Sequence, residues 1–247
     1  MTTRSLLRDG TTIARENVVV FVPPIVASVV FGLLSLLAHP APGTEIGPYG
    51  PGMGIGMGPG AMIARGVGVA ALTFVIGAIV ALLAHGMTLA MVKQRLDGGS
   101  PTLSGGFRVA KDRIVPLAIA AVITGVLMSV GLMLLVLPGL IVTYLLLFTF
   151  AGVIGSGLSA PAAIKKSVEL TTREFGESAV LFLIIVALGV VFAAASLLLN
   201  VIPFLGPVLS IVLGGLYTGY ASILLLITYR RLEGPGQAGE EEPQPET

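Results

Sequence analysis

Apolar residues run along this chain in long unbroken stretches, with little of the alternation typical of strands. Six of these stretches approach the length of about 20 residues that a helix needs to cross a bilayer core of about 30 Å. Lipid offers the backbone no hydrogen-bond partner, so we expect each stretch to form an α-helix. The predicted spans are residues 18–38, 66–92, 114–137, 140–156, 179–199 and 207–229.

Proline and glycine separate these spans in pairs, at residues 40–43, 138–139 and 203–207. A short segment with basic residues precedes each resulting hairpin and is expected to be an amphipathic helix. The chain therefore predicts an all-α, polytopic membrane bundle of six transmembrane helices, built as three parallel hairpin repeats. Residues 1–232 form one membrane domain, and residues 233–247 are expected to be a disordered acidic tail.

Composition supports a membrane protein, since 55% of the 247 residues are hydrophobic and only 11% are charged. Soluble domains carry about 25% charged residues, so an ordinary soluble enzyme and a disordered chain are excluded. Cysteine is absent, which excludes disulfides and thiolate sites. A net charge of +1 gives no electrostatic reason to expect nucleic acid as a partner.

Lysine and arginine predict the orientation, because positively charged segments resist translocation. With the N-terminus inside, 13 of the 14 basic residues lie on the inner side and only Arg65 lies outside. We therefore expect a multi-pass protein of a prokaryotic inner membrane with both termini in the cytoplasm. The residues expected to contact its inner leaflet, including anionic lipids, are Arg8, Arg15, Arg108, Lys111, Arg113, Lys165, Lys166 and Arg173.

The segment before the third hairpin illustrates the expected amphipathic helix. Ser159 can cap its start, and Ile164, Val168 and Phe175 fall on one stripe. Glu169 and Arg173 in the same segment have the i, i+4 spacing of an ion pair. In the segment before the second hairpin, Thr102 or Ser104 can cap the start of the helix.

Few polar side chains lie within the predicted spans, and none is acidic. His85, Tyr217 and Tyr220 are the intramembrane polar candidates, and His85 is expected to bond to a facing helix or to serve a proton or ligand. Ser156 precedes a glycine, but the preceding Gly of a rhomboid-type Gly-x-Ser-Gly motif is replaced by Ile154. We predict no catalytic residue and no cofactor.

Small residues at i, i+4 spacing let helices approach closely. They are expected to pack helices within the chain or to form a homo-oligomer. The residues concerned are Gly77, Ala81, Ala121, Gly125, Ser129, Gly189, Ala193, Gly215 and Gly219.

Glycine and proline fill the outer loop at residues 40–60. Met53, Met57, Met62 and His39 are soft ligands that could hold Cu(I), whereas a loop whose methionines touch lipid headgroups is the simpler interpretation. No metal site is predicted.

The segment from Leu137-Pro138-Gly139 through a span to Ala160-Pro161-Ala162-Ala163 and Ser167 resembles a pattern of six-span membrane proteins. These are the YciC-like proteins and the membrane domain attached to some glycerophosphodiester phosphodiesterases. Gly105-Gly106-Phe107-Arg108 is similar to their element before the third span. The resemblance implies the topology rather than an activity, and the phosphodiesterase domain itself has no counterpart in this sequence.

Two classes of function remain open from the sequence. The first is a non-enzymatic scaffold, lipid-organising protein or subunit of a membrane assembly. The second is a channel, facilitator or permease for a small or apolar solute or a lipid, without coupling through a carboxylate. The second class predicts a continuous cavity near His85, Tyr217 and Tyr220.

Overall fold

The computed structural model describes residues 3–38, 59–199, 201–202 and 205–234. Regular structure in this part of the chain is helical, with no strand, as the apolar runs predict. A short 3₁₀ turn at Val18–Phe21 separates the first two α-helices. The α-helices are α1 (Thr3–Glu16), α2 (Val22–Ala38), α3 (Pro59–Leu96), α4 (Leu103–Asp112), α5 (Ile114–Leu134), α6 (Val136–Leu145), α7 (Thr149–Gly155), α8 (Ala160–Arg173), α9 (Phe175–Leu199) and α10 (Leu205–Glu233).

Five stretches of the described chain are long and apolar enough to cross a membrane, which identifies a multi-pass membrane protein. They are Ala71–Leu96, Ile114–Leu134, Leu137–Gly155, Phe175–Leu199 and Leu205–Glu233. A sixth is reached if α1 and α2 count together, although they meet at an angle of 92°. The first hydrophobic span is therefore preceded by a helix that turns sharply away from it.

The order of elements follows a unit of one short helix and one hairpin. Helices α1, α4 and α8 each precede a hairpin. The hairpins are formed by α2 and α3, by α5 with α6 and α7, and by α9 and α10.

Two of these short helices were expected to have side-chain caps. The Thr102 side chain caps α4 by accepting a hydrogen bond from the Gly105 amide, while Ser159 makes no side-chain cap for α8. Glu169 and Arg173 form the predicted pair on α8, at 3.6 Å.

The hairpin between α5 and α6 differs from the prediction in where the chain turns. The break falls at Leu135, whose backbone is extended, while Pro138 and Gly139 lie within the first turns of α6. Proline is tolerated there, because the first amides of a helix have no intrahelical partner. A Cβ on Gly131 would lie 2.9 Å from the Cα of Gly139, so these two glycines let the helices touch instead of making the turn.

The predicted fourth span is one stretch of chain with an interruption at residues 146–148. Ser167 of α8 fills the interruption, since its hydroxyl donates to Leu145 O at 2.7 Å and accepts from the Phe148 amide at 3.0 Å. The two backbone groups released by the break are thereby paired, which an apolar environment requires.

Helix α8 buries a different face from the one its hydrophobic pattern predicts. Ala160, Ala163, Ser167, Leu170 and Thr171 are its buried residues. The expected stripe is instead only partly buried at positions 164 and 168 and mostly exposed at position 175. Small and hydroxyl-bearing residues line the contact because α8 packs on helices rather than on lipid.

Four of the predicted small-residue positions serve close helix contacts. A Cβ on Gly215 would lie 2.7 Å from the Cα of Ile25, and one on Gly219 would lie 2.6 Å from the Phe21 ring. Gly77 faces Phe31 in the same way, and Gly189 faces the Tyr217 hydroxyl. These positions hold α2 against α10, α2 against α3, and α9 against α10.

The remaining predicted small residues make no such contact within the described chain. A Cβ on Gly125 would meet no atom within 4 Å, and Ser129 and Ala193 are exposed. Ala81 and Ala121 line cavities that are described below. The described contacts therefore give no packing role to Gly125, Ser129 and Ala193, and helix packing at these positions stays a prediction.

The tail also begins later than the sequence predicts. Glu233 is the last residue of α10 and does not open a disordered segment. Its side chain accepts hydrogen bonds from Ser156 and Tyr229. The rest of the predicted tail, from residue 235 on, lies outside the described residues.

Candidate functional site

His85 lies on α3 and is partly buried between neighbouring helices. Its ring meets the Phe150 ring of α7 edge to face, with centroids 5.4 Å apart. On the other side, Nδ1 lies 3.5 Å from the Ser222 hydroxyl of α10. The ring is thus held between α7 and α10, as the expected bond to a facing helix implies.

A cavity of about 1,000 Å³ adjoins His85 between α2, α3 and α10, and we call it the main groove. This volume is at the upper end of the range of about 300–1,000 Å³ typical of small-ligand sites. Phe31, Leu33 and Val208 on its wall are 54%, 59% and 57% exposed, so the groove opens on the side of the bundle.

The main groove is apolar, with a few hydroxyl groups and one imidazole on its wall. No described residue that lines it is charged. The hydroxyls of Ser28 and Thr218 donate to carbonyls of their own helices, at 2.8 and 2.9 Å, and that of Ser210 lies 3.4 Å from Ser196 O. His85 is therefore the lining side chain with the greatest remaining capacity to bind a polar group.

A second cavity of about 520 Å³ lies between α3, α5 and α7, and we call it the side groove. Apart from one side chain its wall is apolar, and it includes Phe74, Ala121, Val122 and Phe150. His85 lines this cavity as well. One side chain therefore borders both grooves, on neighbouring faces of α3.

Tyr217 and Tyr220 do not join His85. The Tyr217 hydroxyl donates to Ile185 O of α9 at 3.2 Å. The Tyr220 hydroxyl would lie 3.5 Å from a Cβ on Gly10 of α1. The expectation that these two tyrosines and the histidine share one cavity is wrong.

Thr218 and Ser222 take the place expected for the tyrosines. Thr218 lines the main groove, and Ser222 contacts the imidazole. Their i, i+4 spacing places both on one face of α10, a signal that the sequence contains and that could have identified them.

Charged side chains gather at one end of the bundle, which we call the charged end. Lys93 lies within electrostatic range of four charged side chains. These are Asp97 in the turn after α3, Arg113 at the junction of α4 and α5, and Arg230 and Glu233 on α10. Three ion pairs among the described residues lie there. Asp9 of α1 pairs with Arg231 of α10, Glu16 of α1 with Arg95 of α3 at 2.6 Å, and Asp97, directly after α3, with Arg230 of α10 at 2.7 Å. Helices α1, α3 and α10 are thereby tied together.

Ser156 also lies at the charged end, bonded to a carboxylate rather than to an imidazole. Its hydroxyl is 2.6 Å from Oε1 of Glu233 and 2.9 Å from the Tyr229 hydroxyl. His85, the one histidine in the described part of the chain, contacts Phe150 and Ser222 instead. The arrangement joins the end of α7 to the end of α10.

The basic residues expected at the inner leaflet fall into two groups. Exposed side chains without a described hydrogen bond are those of Arg8, Arg15, Arg108, Lys111 and Lys165. The others are engaged within the protein: Arg113 donates to Gly157 O at 2.5 Å, Lys166 pairs with Glu169 at 3.5 Å, and Arg173 pairs with Glu169 and Glu174 and donates to Leu232 O. Three of the eight therefore have a structural partner.

Most of the predicted soft ligands of the outer loop lie outside the part of the chain that the structure describes. His39, Met53 and Met57 lie outside the described residues, and Met62 lies in the first turns of α3. In the part of the chain that is described, no three His, Cys, Asp or Glu residues form a group that could hold a metal ion.

Comparison with known proteins adds no assignment. No family model, no curated protein and no solved structure matches this chain. The resemblance to the YciC-like proteins therefore stays a prediction, and function has to be argued from the grooves and the charged end.

Proposed function

We propose that this protein is a non-enzymatic membrane protein that binds a lipid in the main groove and so acts as a lipid-organising protein. The observation that carries the proposal is the groove itself, which is apolar, of ligand size and open at the side of the bundle. An apolar opening that faces hydrocarbon is filled by chains of the same polarity.

The experiment fills the groove and counts the bound lipid. Ala81 is exposed and lines the groove, so Ala81→Phe adds a ring there without entering the core. Ala193→Phe makes the same change on the exposed face of α9 and is the matched control. Native mass spectrometry of the purified proteins should find lipid retained by the wild type and by Ala193→Phe, and lost from Ala81→Phe. Equal retention by the two variants would contradict the proposal.

A facilitator for a small or apolar solute is the second candidate. It is favoured by one observation, the position of His85 on the wall of both grooves. Movement of that side chain would connect two apolar cavities across α3. Proteoliposomes with the wild-type protein should then take up a solute faster than protein-free vesicles do. Uptake with Ala81→Phe should be no faster than in protein-free vesicles, and this pair of results would favour this function over binding alone.

We further propose that the charged end faces the cytoplasm and contacts the inner leaflet. The exposed cations on α1, α4 and α8 support this, since each basic group near an anionic leaflet gains about 1 kcal/mol. The chain has no cysteine, so single-cysteine variants report their own position alone. Lys93→Cys, Lys111→Cys and Lys165→Cys should react only from the cytoplasmic side, and labelling from both sides would exclude this topology.

A further inference from the structure

We infer that the lipid bound in the main groove carries a hydroxyl group, which donates a hydrogen bond to Nε2 of His85. The ligand class is thus an uncharged lipid alcohol, either a single-chain alcohol or a diacylglycerol. This inference rests on the proposed lipid-binding function, because it names the chemistry of the occupant of the same groove.

The first step concerns the proton of Ser222. Its hydroxyl donates to Thr218 O at 2.8 Å, and a hydroxyl has a single proton to give. In the longer contact of 3.5 Å to His85 Nδ1, the serine oxygen can therefore only accept. We therefore assign the ring proton to Nδ1, since a bare Nδ1 would face an oxygen lone pair.

The second step concerns the other ring nitrogen. No described residue on the wall of either groove is acidic, so nothing stabilises a positive ring and the imidazole is neutral. A neutral imidazole with its proton on Nδ1 has only a lone pair on Nε2. The structure describes no hydrogen-bond partner for Nε2, and the other described contact of the imidazole is with the Phe150 ring.

The third step is the chemistry that fits an acceptor in an apolar wall. An acceptor without a partner in an apolar wall gains free energy when a ligand O–H donates to it. Ethers, ketones and phosphodiesters offer only acceptors and cannot do this. A charged headgroup would also need a counter-charge, and the lining residues described for the main groove provide none. A hydroxyl, an uncharged donor, satisfies both conditions.

The decisive measurement uses wild-type protein and two chain-matched probes, hexadecanol and hexadecyl methyl ether. Native mass spectrometry in detergent should show hexadecanol bound about tenfold more tightly, because the ether leaves Nε2 unpaired. Dioctanoylglycerol is the third probe, and the stronger binder of the two alcohols identifies the single-chain or the two-chain source. Equal binding of hexadecanol and its ether would overturn the inference.

Two variants separate the role of the tautomer from a structural role. Ser222→Ala removes the acceptor that holds the proton on Nδ1, so the ring can present either tautomer. The ratio of the affinity for hexadecanol to the affinity for its ether should therefore fall toward one. Ser129→Ala removes an exposed hydroxyl of α5 that lines neither groove and should leave the preference unchanged. A tenfold preference retained by Ser222→Ala would contradict the assigned tautomer.

The outcomes also separate this inference from the function on which it rests. If Ala81→Phe binds each probe as the wild type does, the groove is not the binding site and both proposals fail. If Ala81→Phe blocks the probes while the alcohol and the ether bind equally to wild type, only the hydroxyl requirement fails.

Discussion

Replacement of Gly215 by alanine tests the packing that holds the bundle together. The added Cβ would lie 2.7 Å from the Cα and 2.9 Å from the amide nitrogen of Ile25. Both are backbone atoms, so no rotamer change can relieve the overlap and α2 must move away from α10. Insertion of a methyl group into a tightly packed contact of this kind costs about 1–3 kcal/mol.

The neighbouring Gly214 provides a matched control on the same helix. A Cβ on Gly214 meets no atom within 4 Å. Both substitutions gain the same helix propensity, about 1 kcal/mol per glycine replaced, so this gain cancels in the comparison. The difference in unfolding free energy between Gly215→Ala and Gly214→Ala is therefore the overlap cost, about 1–3 kcal/mol.

Unfolding in mixed detergent micelles, followed by circular dichroism, measures this difference directly. We expect Gly214→Ala to be as stable as the wild type or more stable, and Gly215→Ala to unfold at lower denaturant. If the two variants unfold at the same midpoint, α2 and α10 do not approach through Gly215 and the packing argument is refuted.

Other predictions concern individual polar groups. Ser167→Ala should lower stability by about 1–3 kcal/mol, since two backbone groups lose their partner, while exposed Ser129→Ala should change it by less than about 0.5 kcal/mol. Thr149→Val should cost nothing in the same unfolding assay, because its buried hydroxyl has no described partner. Arg95→Gln should cost under about 1 kcal/mol, and less in high salt, as Arg95 and Glu16 are 38% and 51% exposed.

The helices could be predicted because each depends on its own segment of chain. Apolar runs of sufficient length must form helices in lipid, whatever their neighbours are. The cap at Thr102 and the pair of Glu169 with Arg173 are equally local. Such features need no knowledge of how the helices are arranged.

Features that depend on a second segment could not be predicted in the same way. Residues 145–148 read Leu-Leu-Leu-Phe, and nothing in that run indicates an interruption. The break is stable because Ser167 reaches it from another helix. Pro138 and Gly139 have the composition of a turn, and the sequence does not show that Gly139 is needed for contact with Gly131.

The site was only partly predictable because helix rotation is not encoded in an evenly apolar span. Tyr217 and Thr218 are neighbours on α10 and therefore point about 100° apart. The sequence shows that polar groups occur at this level of the helix, but not which of them faces α3. Contacts from α2 and α9 decide the rotation, and they turn Thr218 toward the groove and Tyr217 toward Gly189.

The tight contact of α2 with α10 and the main groove have a common origin. Near Gly219 and Gly215 the chain packs closely on α10, through Phe21 of the 3₁₀ turn and the backbone of Ile25 in the first turns of α2. Seven residues further along α2, a Cβ on Gly32 would meet the end of the Ile211 side chain, four residues back along α10, and no backbone atom of α10 within 4 Å. The two helices therefore separate in this direction, and the groove lies where they do. A displacement of α2 at Gly215 must change the width of the groove as well as the stability of the bundle, so Gly215→Ala should alter lipid retention. Gly125→Ala adds a methyl group on α5, where it meets no atom within 4 Å and does not line the groove, and should leave lipid retention unchanged.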